Sequence, residues 1–140
     1  MTNKFFYLII LFSCTLPLKV FAQVDPRWKK IFEDQNLEIF IDPKTVSPIR
    51  NPQITSKGFT FIDMVNFKNT AEDSEIFASV THIATLDCIN PGYKNEGGRL
   101  YKKYYAKGAG ESFPASSWVN IPQHANEQAK IIYKYFCGSW

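Results

Sequence analysis

The segment Phe59-Thr60-Phe61-Ile62-Asp63-Met64-Val65-Asn66-Phe67 constrains the fold more than any other stretch of this chain. Side chains alternate between faces along a strand. Phe59, Phe61, Asp63, Val65 and Phe67 therefore share one face, and Thr60, Ile62, Met64 and Asn66 share the other. Both faces are substantially apolar. Such a strand has to be covered on both sides, at least in part, so it belongs in the middle of a sheet.

The remaining elements are read around it. Trp28 to Phe32 is a short strand, Glu33-Asp34-Gln35-Asn36 a polar turn, and Leu37 to Ile41 a second strand that alternates around Glu38. Asp42-Pro43 stops that strand, and Lys44-Thr45-Val46 makes one tight turn. Val46 to Ser56, with Pro48 and Pro52, is a loop or ragged edge. After the charged turn Lys68–Ser74 comes a long strand, Glu75 to Cys88, stiffened by Val80, Thr81, Ile83 and Thr85. Ile89 to Glu96 reads as a loop, Arg99 to Ala106 as a strand, Lys107 to Glu111 as a Gly-rich turn, and Ser112 to Val119 as irregular or a short last strand. Pro122 to Cys137 reads as the helix. Asn120 caps it, Gly138 ends it, and Ala125, Ala129, Ile132 and Phe136 form its core-facing stripe. The sum is an α+β domain, an antiparallel sheet of about five strands packed against a C-terminal helix.

The start of the chain fixes the compartment. Lys4 precedes an apolar run from Phe5 to Leu16, Pro17 breaks it, and Val20-Phe21-Ala22 carries small residues where a signal peptidase reads. Residues 1–22 are expected to be a secretory signal peptide, too short and wrongly flanked for a membrane span. Residues 23–140 then form one domain of 118 residues, enough for a single core. Losing Lys4 and Lys19 leaves 14 cationic against 13 acidic residues, a balance of +1. That removes any general argument for nucleic acid or an anionic membrane. Leu11-Phe12-Ser13-Cys14 has part of a bacterial lipobox, so membrane attachment enters only if Cys14 is lipidated.

Cleavage after Ala22 leaves two cysteines, Cys88 and Cys137. In an exported domain they are expected to form one disulfide, closing a loop of about 50 residues worth roughly 4 kcal/mol on the chain-entropy model. Two buried free thiols are the alternative. His82 and His124 show no zinc-ligand spacing with the cysteines.

His82 reads as a satisfied or half-exposed strand histidine and His124 as an exposed one. Asp63 is the most interesting carboxylate, because a buried acid can titrate abnormally. An acid at a sheet's wetter edge is the commoner case. Gly108-Ala109-Gly110 lacks the context of a phosphate loop. No nucleophile, acid and base converge, so the chain is read as non-catalytic and without a cofactor. Arg99, Lys102, Lys103 and Lys107 interleave with Tyr101, Tyr104 and Tyr105, and alternation puts Arg99, Tyr101, Lys103 and Tyr105 on one face. Tyrosine and arginine are favoured contact residues, which makes this strip the candidate protein-binding surface; a half-solvated strand is the bland alternative. Were it an edge strand, it would also allow dimerisation through the edge.

These features, in this order, resemble the surface-adhesin protein E family of Gram-negative bacteria. The signs are the opening Trp28-Lys29-Lys30-Ile31, then Ile39-Phe40-Ile41-Asp42-Pro43 followed at once by Lys44-Thr45-Val46. A long strand ending Leu86-Asp87-Cys88, the basic aromatic strand Arg99–Tyr105 and a helix closing on Tyr135-Phe136-Cys137 complete them. The resemblance implies an antiparallel sheet on a helix with one disulfide. It further implies an exported adhesin that binds host extracellular-matrix or envelope proteins, in the periplasm or at the cell surface. A soluble periplasmic accessory or structural protein with an internal partner is the other reading.

Overall fold

The computed structural model describes residues 24–49, 57–121 and 123–139. The expected signal segment, Cys14 and Pro122 lie outside the described residues. Eight strands form one antiparallel sheet: β1 (Lys29–Glu33), β2 (Leu37–Ile41), β3 (Ser47–Pro48), β4 (Gly58–Phe67), β5 (Ser79–Asp87), β6 (Gly92–Lys103), β7 (Lys107–Phe113) and β8 (Val119–Asn120). One helix follows, α1 (Glu127–Cys137). The main path across the sheet runs β1-β2-β4-β5-β6-β7, with β3 beside β4 and β8 beside β6. The α+β architecture is the expected one, and β4 is central as its two apolar faces required.

The sheet gains β3, β7 and β8 beyond the five strands expected, and β6 is longer than expected. Lys107–Glu111 is strand, not turn. Its glycines make it a slim strand against β6: a Cβ on Gly110 would lie 2.5 Å from the Leu100 carbonyl oxygen, so only glycine fits that approach. Ile89–Glu96 is largely strand too. Asp87 pairs with Gly92, which confines the turn to residues 88–91. Asp87 Oδ1 accepts the backbone N–H groups of Ile89 (2.8 Å) and Asn90 (3.1 Å) and tightens it.

The helix is shorter than expected. It starts at Glu127, where the Asn126 side chain accepts the Ala129 N–H at 2.8 Å. Asn120 is held in β8 opposite Gly92 instead of capping. The Ile121 N–H donates to the Pro91 carbonyl at 2.9 Å, which keeps this stretch on the sheet.

The stripe of α1 meets the sheet as its spacing demands. Ala129 and Ile132 are buried with Ile39, Phe61, Val80, Ala84 and Leu86. Phe136 stacks on Phe61 with ring centres 4.6 Å apart and on Phe59 at 5.3 Å. Each large aliphatic side chain removed from water here contributes about 1.5–3 kcal/mol. Tyr133 is an addition to the stripe, 2 % exposed, its hydroxyl donating to the Cys88 carbonyl at 3.1 Å. Beside it Cys88 and Cys137 form the disulfide, Cα atoms 5.4 Å apart, and staple the end of β5 to the end of α1. The opposite face holds a smaller cluster, Trp28, Phe40 and Met64.

Among the core groups Asp63 stands apart. It is fully buried, not at a wetter edge. Its Oδ1 accepts His82 Nδ1–H at 2.6 Å, directly across the β4–β5 pair. Gln128 Nε2 of α1 donates to the same oxygen at 3.4 Å, and the Tyr93 hydroxyl to Oδ2 at 3.4 Å. Burial, then the neighbouring Asp63 charge, pushes the Tyr93 phenol far above its ordinary value. The network ties α1 to three strands.

At the sheet's other side Lys30 lies between Glu33 (2.7 Å) and Glu38 (2.5 Å), and Lys68 reaches Glu33 at 2.5 Å. Hydrogen bonds from Lys30 and then Lys68 hold the Glu33 carboxyl down to about 2.

Two outcomes follow from this construction. Cys88→Ser should lower stability by about 2–5 kcal/mol in a denaturant titration; an unchanged midpoint would mean the staple carries no stability. The folded-state value of Glu33 is depressed, so its stabilisation is present above its ordinary value of 4.5 and lost as pH falls through about 2. Being exposed, the group contributes little. The Tm gap between wild type and Glu33→Gln should shrink between those two pH values, and a gap constant with pH would remove the ion pair as its cause.

Candidate functional site

The helix covers one face of the sheet and leaves the other to the chain itself. Beyond the Trp28–Phe40–Met64 cluster that open face carries a groove of about 620 Å³. Ile62 of β4 with Thr81 and Ile83 of β5 line its floor. Ile83 is 46 % exposed, unusual for a large apolar residue on a central strand.

The walls carry cationic and aromatic side chains, with the acids Asp25 and Glu96 among them. On β6, Arg99 and Tyr101 stand two apart on the open face, the guanidinium 5.8 Å from the Tyr101 ring centre. Arg99 Nη2 donates to the Gly110 carbonyl at 3.2 Å, which holds the side chain along β7. Across the groove Arg27 lies over the Trp28 ring at 4.7 Å, with Nε donating to Asp42 Oδ2 at 2.6 Å. Lys107 and Phe113 of β7 complete the lining.

Tyr105 reaches this groove by leaving the strand. β6 bulges between Tyr101 and Lys103 and ends there. Tyr105 and Ala106 then take left-handed backbone angles, φ 58° and 56°, costly for non-glycine residues. Side chains hold the turn in place. The Tyr105 N–H donates to Asn66 Oδ1 at 2.9 Å and the Ala106 N–H to Ser79 Oγ at 3.1 Å. The Tyr105 ring packs edge-on against Phe40 at 5.9 Å. Burial, then the Glu38 charge, raises its phenol above the ordinary value.

The structure thus brings Arg99, Tyr101, Tyr105 and Lys107 to one groove. Lys102 and Lys103 go elsewhere. Lys102 Nζ donates to the carbonyls of Ser74 (3.1 Å) and Glu75 (2.8 Å) and lies 4.4 Å from the Phe77 ring centre. Lys103 pairs with Asp73 at 3.5 Å. Simple alternation put Lys103 and Tyr105 on the Arg99 face; the bulge and the turn break that pattern. The strand is also interior, with β7 on its outer side, so the edge belongs to β7. Arg27, Trp28 and Ile83 were not recognised as groove residues, since only tertiary contact brings the start of the chain beside β5 and β6.

On the helix side, His82, the partner of Asp63, lines a cavity of about 230 Å³ together with His124 and Asn95. Asp63 orients the imidazole, as an acid–base pair would need. Among the described residues no group of three His, Cys, Asp or Glu is arranged to hold a metal ion. The pair's contacts run to the helix and to the sheet, and they fasten the one to the other.

Comparison with known proteins adds the ancestry of this arrangement. Haemophilus influenzae protein E has the same fold. Its crystal form II aligns with a TM-score of 0.57 and 14 % identity, covering 82 % of this chain and 90 % of that one. A selenomethionine form aligns at 0.55 and 13 %, covering 84 % and 91 %. No curated protein matches in sequence. The family model described as surface-adhesin protein E matches residues 28–138, nearly all of the described structure, and the chain belongs to that family.

Proposed function

We propose that this protein is an exported, non-catalytic binding domain that contacts a host matrix or envelope protein through the open face of its sheet. The observation that carries the reading is the groove walled by Arg99, Tyr101 and Tyr105 over the exposed Ile83. Tyrosine supplies large contact area at low entropy cost, and arginine adds charge recognition with a planar fork. Family membership supports an adhesin-like role. The outer side of β7 supplies unpaired backbone groups for strand addition by a partner or a second copy.

The same reading takes residues 1–22 as a signal peptide and the mature protein to the periplasm or cell surface. The Cys88–Cys137 disulfide fits an oxidising compartment. Among the described residues no helix is long and apolar enough to cross a membrane.

Binding to immobilised extracellular-matrix proteins should fall at least about tenfold in the double variant Arg99→Glu, Tyr101→Ala. Lys103→Glu, whose side chain faces Asp73 outside the groove, should bind as wild type. Undiminished binding by a double variant with wild-type Tm would remove the groove as the site. The intact mass of protein taken from the cell envelope should correspond to a chain beginning at Gln23. A chain beginning at a lipidated Cys14 would overturn cleavage after Ala22 and anchor the domain to a membrane.

A further inference from the structure

A second cleft, of about 670 Å³, lies at the β5–β6 turn and shares no residue with the groove. Trp118 forms one wall and is 50 % exposed. Its indole rests on the backbone of Gly92, where a Cβ would come within 3.2 Å of the ring, so the buried glycine makes the seat for the indole. One part of the ring is thereby fixed and the rest stays open.

Polar groups converge beside it. Asp87 is 8 % exposed and lines the cleft. Its Oδ1 takes both N–H donors of the turn, and no donor among the described residues reaches Oδ2. Asn90 and Asn120 line the same cleft and are exposed, so their amides are open to a ligand as well as to water. A nearly buried carboxylate with one oxygen unpaired is uncommon in a folded protein and calls for an explanation. The frame around them is rigid: Asn120 pairs with Gly92, the Ile121 N–H bonds Pro91, and the disulfide leaves from the neighbouring Cys88.

We infer that this cleft binds a saccharide. A sugar ring has a face of C–H bonds that packs on an indole, and a rim of hydroxyls that donate and accept in pairs. A half-exposed, seated tryptophan supplies the first surface. Asp87 Oδ2 accepts from hydroxyls, and the Asn90 and Asn120 amides both donate and accept. The size matches a small-ligand site, and the fixed frame lowers the ordering cost of binding. A proline-rich peptide also packs on indoles, but its prolines have no backbone N–H to give the buried carboxylate oxygen.

The test is NMR titration of the intact protein with chitotriose, lactose and mannotriose, each to about 10 mM, the range of weak single-site binding. At least one should shift the Trp118 indole N–H saturably, that signal being assigned by its loss in Trp118→Phe. Trp118→Ala and Asn120→Ala should each weaken the affinity about tenfold while their amide spectra stay folded. Asn120→Ala keeps the indole, so it reads the polar side of the site separately. Three results would overturn the inference: no saturable shift with any of the three sugars, shifts that persist unchanged in Trp118→Ala, or shifts produced only by a proline-rich peptide.

Discussion

The structure depends on how little helix it has. Six strands side by side span about 24 Å at the usual spacing. A helix is only about 10–12 Å across, and eleven residues make it about 16 Å long. α1 therefore shields the centre of one face and nothing else. The other face has to manage with the small Trp28–Phe40–Met64 cluster. Where that cluster stops, the groove begins, because among the described residues no second layer covers Ile62, Thr81 and Ile83.

A single covering element has to be held in one position. Three kinds of contact do it. The Phe136 stack on Phe59 and Phe61 buries apolar surface at the helix end. The disulfide fixes that same end to β5. At the other end Gln128 reaches the Asp63–His82 pair. Burying a carboxylate is costly, and its hydrogen bonds mostly offset that cost without a large net gain. The pair's main consequence is geometric: Gln128 meets Asp63 only when α1 lies where it does.

Much of the framework could be read from local pattern. β2 matches its expected bounds, and β4 agrees to within one residue, since both have strong alternation and clear terminators. The cysteine pairing followed from count and compartment. The misreadings share one cause. Lys107–Glu111 looked like a turn because glycine has low strand propensity, yet close approach to β6 is what its glycines permit. Asn120 looked like a helix cap, but pairing of β8 with β6 holds it and Asn126 took the cap. The Arg99–Lys107 strip was visible as composition. Its division into groove residues and outward lysines depended on the bulge after Tyr101 and on the Asn66 and Ser79 bonds that hold Tyr105 and Ala106.

By itself the sequence determined the fold class, the central strand, the stripe on the helix and the one disulfide. Each of these rests on periodicity or on counting, which act over a few neighbouring residues or over the whole composition. The tertiary structure alone decided the partner of Asp63, the groove beside Arg27 and Trp28, and the seat of Trp118 on Gly92. Those contacts join residues 19 or more positions apart. Their geometry is set by strand register and by a bulge, where a shift of one residue sends a side chain to the opposite face.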